Sequence, residues 1–68
     1  MANQHVMPLE DIWIIRSENP GDTLEAFSSK SEAIIYAKEL AKRGNSELIV
    51  HKFDGSIDHK NSYIKHPF

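Results

Sequence analysis

The chain has 68 residues, with 8 Lys and Arg against 10 Asp and Glu, four His and no Cys, for a formal charge of −2 at pH 7. That length suits one small domain, here drawn over residues 1–68 with 1–3 and 64–68 expected to fray, and leaves no room for a second core. The missing cysteines exclude a disulfide framework, thiolate metal sites and thiol redox motifs, the charge balance lacks the net positive field of a sequence-independent DNA binder, and no apolar run approaches the about 20 residues of a membrane span.

In chain order, His5-Val6-Met7 is a short apolar stretch ended by Pro8, which lacks a donor and suits a strand end or edge; an edge strand is expected. Leu9-Glu10-Asp11 turns the chain, and Ile12-Trp13-Ile14-Ile15-Arg16 is dense in residues that fit a pleated surface. Asn19-Pro20-Gly21-Asp22 carries the chemistry of a reverse turn, with Pro pre-setting φ and Gly tolerating positive φ. Thr23 to Phe27 then return antiparallel to the tryptophan strand.

Ser29-Lys30-Ser31-Glu32 fits a capping box, in which the Ser29 hydroxyl accepts from the Glu32 amide and the Glu32 carboxylate reaches back to the Ser29 amide. A helix follows to about Arg43, with Ala33, Ala37, Leu40 and Ala41 at helical spacing and Ile34 and Tyr36 flanking them. Lys42 and Arg43 favour the C-terminal dipole, and Gly44 or Asn45 supplies a left-handed cap.

Asp54-Gly55 between Glu47–Phe53 and Ser56–Lys60 signals a tight hairpin of the type I′ class. A two-residue loop there pairs Phe53 with Ser56, Lys52 with Ile57, His51 with Asp58, Val50 with His59 and Ile49 with Lys60. The expected fold is α+β: a small antiparallel sheet of two hairpins, β-β-β-α-β-β, with the helix packed on one face.

Taken as an ordered set, His5-Val6-Met7-Pro8, Trp13 with Ile15-Arg16, Ser31-Glu32-Ala33-Ile34 with Leu40-Ala41, Glu47 to His51 with Asp54-Gly55 and Ile57, and the closing Asn61-Ser62-Tyr63 with Pro67-Phe68 span almost the whole chain. In this set the chain resembles the domain-of-unknown-function family 2188 of short bacterial proteins. That family usually has a Gly just before the tryptophan, where this chain has Ile12 and gains an apolar residue in the strand. The resemblance implies no activity, cofactor or catalytic residue.

Charge is uneven along the chain. Residues 1–25 carry Glu10, Asp11, Glu18, Asp22 and Glu25 against Arg16 alone, a difference of −4, while residues 26–68 reach +2 and hold three of the four histidines. Charge of this size serves solubility and steering.

For chemistry, His51 and Asp58 form the one candidate polar pair. An imidazole beside a carboxylate serves general-base catalysis or metal-ligand orientation, and equally serves to stabilise a sheet face. No nucleophile motif or phosphate loop accompanies it, and so small a sheet has little interior for a pocket, so neither an enzyme nor a cofactor is expected. His5, His51, His59 and His66 lack the i, i+4 spacing of a helical ligand pair or any short ligand motif, and no metal site is expected.

One helix cannot cover both faces of the sheet, and both read as apolar. Setting Trp13, Ile15 and Phe53 against the helix leaves Ile12, Ile14 and Arg16 with Leu48, Val50 and Ile57 on the open face; the opposite choice leaves an equivalent remainder. An apolar patch on so small a protein marks an interaction site. The function expected is therefore that of a non-enzymatic cytoplasmic module that pairs with itself as a homodimer or with another protein, away from membranes. The alternative is a small nucleic-acid-associated protein using Arg16, Lys52, Lys60 and Lys65.

Overall fold

The structure is a computed structural model that describes residues 3–19, 21 and 24–65. Strands β1 (Gln4–Leu9), β2 (Ile12–Ser17) and β3 (Glu25–Phe27) precede helix α1 (Lys30–Arg43), and β4 (Glu47–His51) and β5 (Ile57–Ser62) follow it. The fold is α+β, with one five-stranded sheet in the order β3-β2-β1-β4-β5. Pro20, Asp22 and Thr23 of the expected second turn lie outside the described residues, as do His66, Pro67 and Phe68.

The sheet is mostly antiparallel, but its two hairpins join through a parallel pair: Gln4, His5 and Val6 of β1 lie opposite Leu48, Ile49 and Val50 of β4. This corrects the expectation that β1 is a short edge strand. It occupies the middle of the sheet and runs six residues. Pro8 is tolerated there because β4 accompanies β1 only as far as Val6, so at Pro8 the strand is paired with β2 alone, opposite Trp13. The β1–β2 loop closes tightly, with Leu9 opposite Ile12 and Glu10 at φ 55.

A parallel pair requires a crossover, because the chain must travel back the length of the sheet before β4 can begin. α1 is that crossover. Its 14 residues rise about 21 Å, matching the about 20 Å of a six-residue strand. The helix starts where the serine signal places it: Ser29 is the N-cap, its hydroxyl accepting from the Glu32 amide at 3.2 Å, while the Glu32 carboxylate accepts from the hydroxyls of Ser28 and Ser29. At the far end Gly44 is still right-handed, and Asn45 takes the left-handed position at φ 53. The Ser46 amide donates to the Ala41 carbonyl and the Asn45 amide to that of Lys42, the two bonds of a Schellman cap.

The helix rests on the sheet through Ala33, Ala37 and Ala41, all fully buried against Val6, Ile15, Leu48 and Val50. Trp13, Phe27, Ile34, Leu40 and Tyr63 pack around that centre. Leu48 and Val50, expected on the open face, thus belong to the helix side. The parallel register fixes this, since it sets Val50 beside Val6 and so on the same face. Phe53, expected beneath the helix, is 79% exposed and only leans on Trp13, with ring centroids 6.3 Å apart.

The second hairpin keeps the expected pairs Val50–His59 and Ile49–Lys60 but not the two-residue loop. Gly55, at φ 94, is the only positive-φ residue of the turn; its amide donates to the Lys52 carbonyl, and the Lys52 amide donates to the Ser56 carbonyl. That is a three-residue loop closed by a glycine bulge. The Asp54 carboxylate accepts from the Ser56 hydroxyl and amide, bonds that hold its carboxyl below the usual carboxylate range. The longer loop slips the adjacent pairing by one residue, so His51 lies opposite Ile57 and the expected His51–Asp58 pair does not form; a second irregularity, at Val50/His51, leaves Asp58 as the extra residue of β5 and restores the expected register at Val50–His59.

The bulge instead delivers Asp58 to the helix side, where Lys30 Nζ donates to its carboxylate at 3.1 Å. The same ammonium lies 5.1 Å from the centroid of the Trp13 ring. One lysine at the start of α1 thus joins the helix to β5 and β2. The Lys30 bond, with help from His59, holds the Asp58 carboxyl below its ordinary value.

Two outcomes follow from this packing. Ala37→Leu forces a larger side chain into the closest helix–sheet contact and should cost about 1–3 kcal/mol in urea unfolding; an unchanged midpoint would show that the alanines do not seat the helix. Because the Asp58 carboxyl is lowered in the folded chain, its contribution is complete above the ordinary carboxylate range and disappears as pH falls through the lowered value. The difference in thermal midpoint between the parent chain and Asp58→Asn should therefore be largest near neutral pH and vanish in strong acid, whereas a constant difference would deny the pair an electrostatic role.

Candidate functional site

Strand alternation assigns the residues of the face opposite α1: His5, Met7 and Leu9 from β1, Ile12, Ile14 and Arg16 from β2, Ala26 from β3, Glu47, Ile49 and His51 from β4, and Ile57, Lys60 and Ser62 from β5. Four of the six expected interface residues lie here: Ile12, Ile14, Arg16 and Ile57. Leu9 is 50% exposed, Ile57 54% and Ile12 37%, while Met7 and Ile14 are half-buried. Ile49, at 4%, is closed off between His5, Lys60 and its strand neighbours, and His51 is buried beside it.

At one end of this face His5 and His51 meet. His5 Nδ1 lies 2.9 Å from His51 Nε2; the other nitrogen of His51, Nδ1, is 2.9 Å from the Gly55 carbonyl oxygen, and His5 Nε2 is 2.7 Å from a Glu18 carboxylate oxygen. The result is a four-membered chain, Glu18–His5–His51–Gly55, linking the end of β2, the start of β1, the end of β4 and the following turn. The ring centroids are 5.2 Å apart and the planes inclined by 29°, little more than the nitrogen separation plus two ring radii, so the rings meet head-on. Beside them an open depression of about 750 Å³ is lined by His5, Met7, Arg16, Glu18, Leu24 and His51.

The sequence names both histidines but gives no sign that they touch. They are 46 residues apart, and only the parallel β1–β4 register sets them diagonally across one face. Glu18 is likewise invisible as a partner, because it enters only through β2 extending beside β1 to Ser17, with the Glu18 amide donating to the Asn3 carbonyl at 3.0 Å.

The basic residues are not gathered into one stripe. Arg16 sits on β2 and Lys60 on β5, three strands and about 14 Å apart, with Lys52 in the β4–β5 loop and Lys65 beyond β5. Lys65 is placed at the helix C-terminus by its amide, which donates to the Asn45 side-chain oxygen. His59 lies on the helix side, 3.6 Å from Asp58. Among the described residues no group of three or more His, Cys, Asp and Glu is placed to hold a metal ion, and no helix is long and apolar enough to cross a membrane.

Comparison with known proteins adds a lineage to this geometry. The uncharacterized protein YdaT of Bacillus subtilis (strain 168) is 37% identical over 57 residues, covering 84% of this chain. The match takes in 38% of that protein, so the chain spans about two-fifths of its relative's length. No solved structure matches the chain. A family model described as an uncharacterized protein conserved in bacteria, DUF2188, matches residues 4–63. Those limits run from the first residue of β1 to Tyr63, which packs against the core behind β5; the whole sheet with its helix lies within them, and this chain belongs to the DUF2188 family.

Proposed function

We propose that the chain is a binding module without catalytic machinery of its own, that it works through the sheet face opposite α1, and that the occupant of that face is a second copy. One observation carries this reading: a sheet with a parallel pair at its centre leaves one face uncovered, and that face presents Leu9, Ile12 and Ile57 to solvent around half-buried Met7 and Ile14. A mostly antiparallel sheet can keep one face in water when that face is polar, whereas a contiguous apolar patch on a small domain marks a contact surface.

The face suits a copy of itself. A two-fold axis along β1, the central strand, would lay β2 of one copy over β4 of the other, and bring Arg16 of each toward Glu47 of the other. Five strands cover about 20 Å by 20 Å in outline, so pairing two faces would bury on the order of 1,000 Å² in total, the low end of stable interfaces. The cysteine-free composition suits the cytoplasm, where no disulfide would be available to hold the fold.

Light scattering during gel filtration at about 100 μM tests this. The parent chain should elute at twice its 7.8 kDa mass, and Ile14→Asp or Ile12→Asp should return it to a folded monomer. A parent chain that stays monomeric and soluble would overturn the reading.

A further inference from the structure

Counting hydrogens along the Glu18–His5–His51–Gly55 chain gives a result that the distances alone do not. Each of its three contacts lies between atoms that both accept unless a hydrogen stands between them. The Gly55 carbonyl can only accept, so His51 Nδ1 must carry a hydrogen. An ionised Glu18 can only accept, so His5 Nε2 must carry one. That leaves bare lone pairs on His5 Nδ1 and His51 Nε2, facing each other head-on at 2.9 Å.

Three contacts need three hydrogens, whereas two neutral imidazoles and a carboxylate supply two. Moving the hydrogens does not help. If His5 donates to His51 from Nδ1, Glu18 must itself be protonated, and the total is again three. We infer that Glu18, His5 and His51 form a proton-holding clasp, which binds one proton beyond the neutral-histidine state and by means of it fastens the β4–β5 turn to β1.

The surroundings are consistent with a single shared proton. The carboxylate of Glu18 touches His5 directly and balances the added charge. Arg16, the cross-strand neighbour of His5, opposes a second one. The remaining charged groups on this face are Glu47 on β4 and Lys60 on β5, with Lys52 in the loop; Asp54 is engaged by Ser56, and α1 lies on the other side of the sheet. The 2.9 Å separation of the nitrogens also suits a proton better than a metal ion, which at about 2.0 Å from each would hold them about 3.3 Å apart or more.

The sign of the effect follows. Because the three contacts need three hydrogens, the clasp is intact at lower pH, while the extra proton is held, and is lost as pH rises and that proton leaves. Its loss sets two lone pairs against each other, and one of the three contacts must open. The contact that opens is His5–His51, and the loop of residues 52–56, still bonded to His51 through Gly55, loses its tie to β1. The clasp belongs to a single chain and stands whatever covers the sheet face.

The test is nitrogen-resolved NMR of the two rings, with amide exchange of the loop, from about pH 5 to about pH 9 in a metal chelator. The ring signals of His5 and His51 should change together in one step, and above that step the protection of the Lys52 amide should fall by about tenfold. In His5→Gln the step at Lys52 and Gly55 should vanish. In Glu18→Gln, a change at an exposed side chain that leaves the core untouched, the amide can donate the third hydrogen to His5, so the loop should stay protected at high pH and the step should disappear. Independent titration of the two rings, equal loop protection at both ends of the range, a step that persists in Glu18→Gln, or a ring contact abolished by the chelator would each overturn the proposal.

Discussion

Three register pairs, Gln4–Leu48, His5–Ile49 and Val6–Val50, join the two halves of the sheet. Without them the molecule would be a three-stranded meander and a separate two-stranded hairpin, and an isolated hairpin is marginally stable at best in water. With them Val6 and Val50 become neighbours, both hairpins turn a common face to α1, and the alanine stripe of the helix has a surface to lie on. The same three pairs put His5 and His51 diagonally across the opposite face. Core and candidate site are thus two sides of one parallel junction.

What could be read along the chain follows from how far each signal reaches. The helix from Lys30, its Ser29 cap and the strand around Trp13 depend on neighbours within four residues, and the structure has all three. The parallel junction depends on residues more than 40 apart, and nothing local marks it. Leu48-Ile49-Val50 is apolar on both faces, so alternation cannot say which of its residues face the helix; the partner strand decides. Pro8, a sound sign of an edge where a strand is paired along its full length, is accommodated inside the sheet because β4 stops short of it.

Asp54-Gly55 shows a finer limit. The dipeptide marks the hairpin correctly, yet it serves both the two-residue loop and the longer one with a bulge. One residue of difference slips the pairing next to the loop, setting His51 opposite Ile57, until the irregularity at Asp58 restores the pair Val50–His59. That slip takes Asp58 from His51 and hands it to Lys30, separating a plausible pair of polar groups and leaving His51 to find His5.

The tail beyond β5 has a bearing on the open face of the sheet. Tyr63 donates its amide to the Ser46 carbonyl and lies under Lys42, whose ammonium is 5.7 Å from the ring centroid, and the Lys65 amide is held by Asn45. These contacts draw the chain away from the bare sheet face and lead it out beside the C-terminal end of α1. Residues 63–65 are thus fastened on the helix side, and none of these contacts is made at the expense of the opposite face.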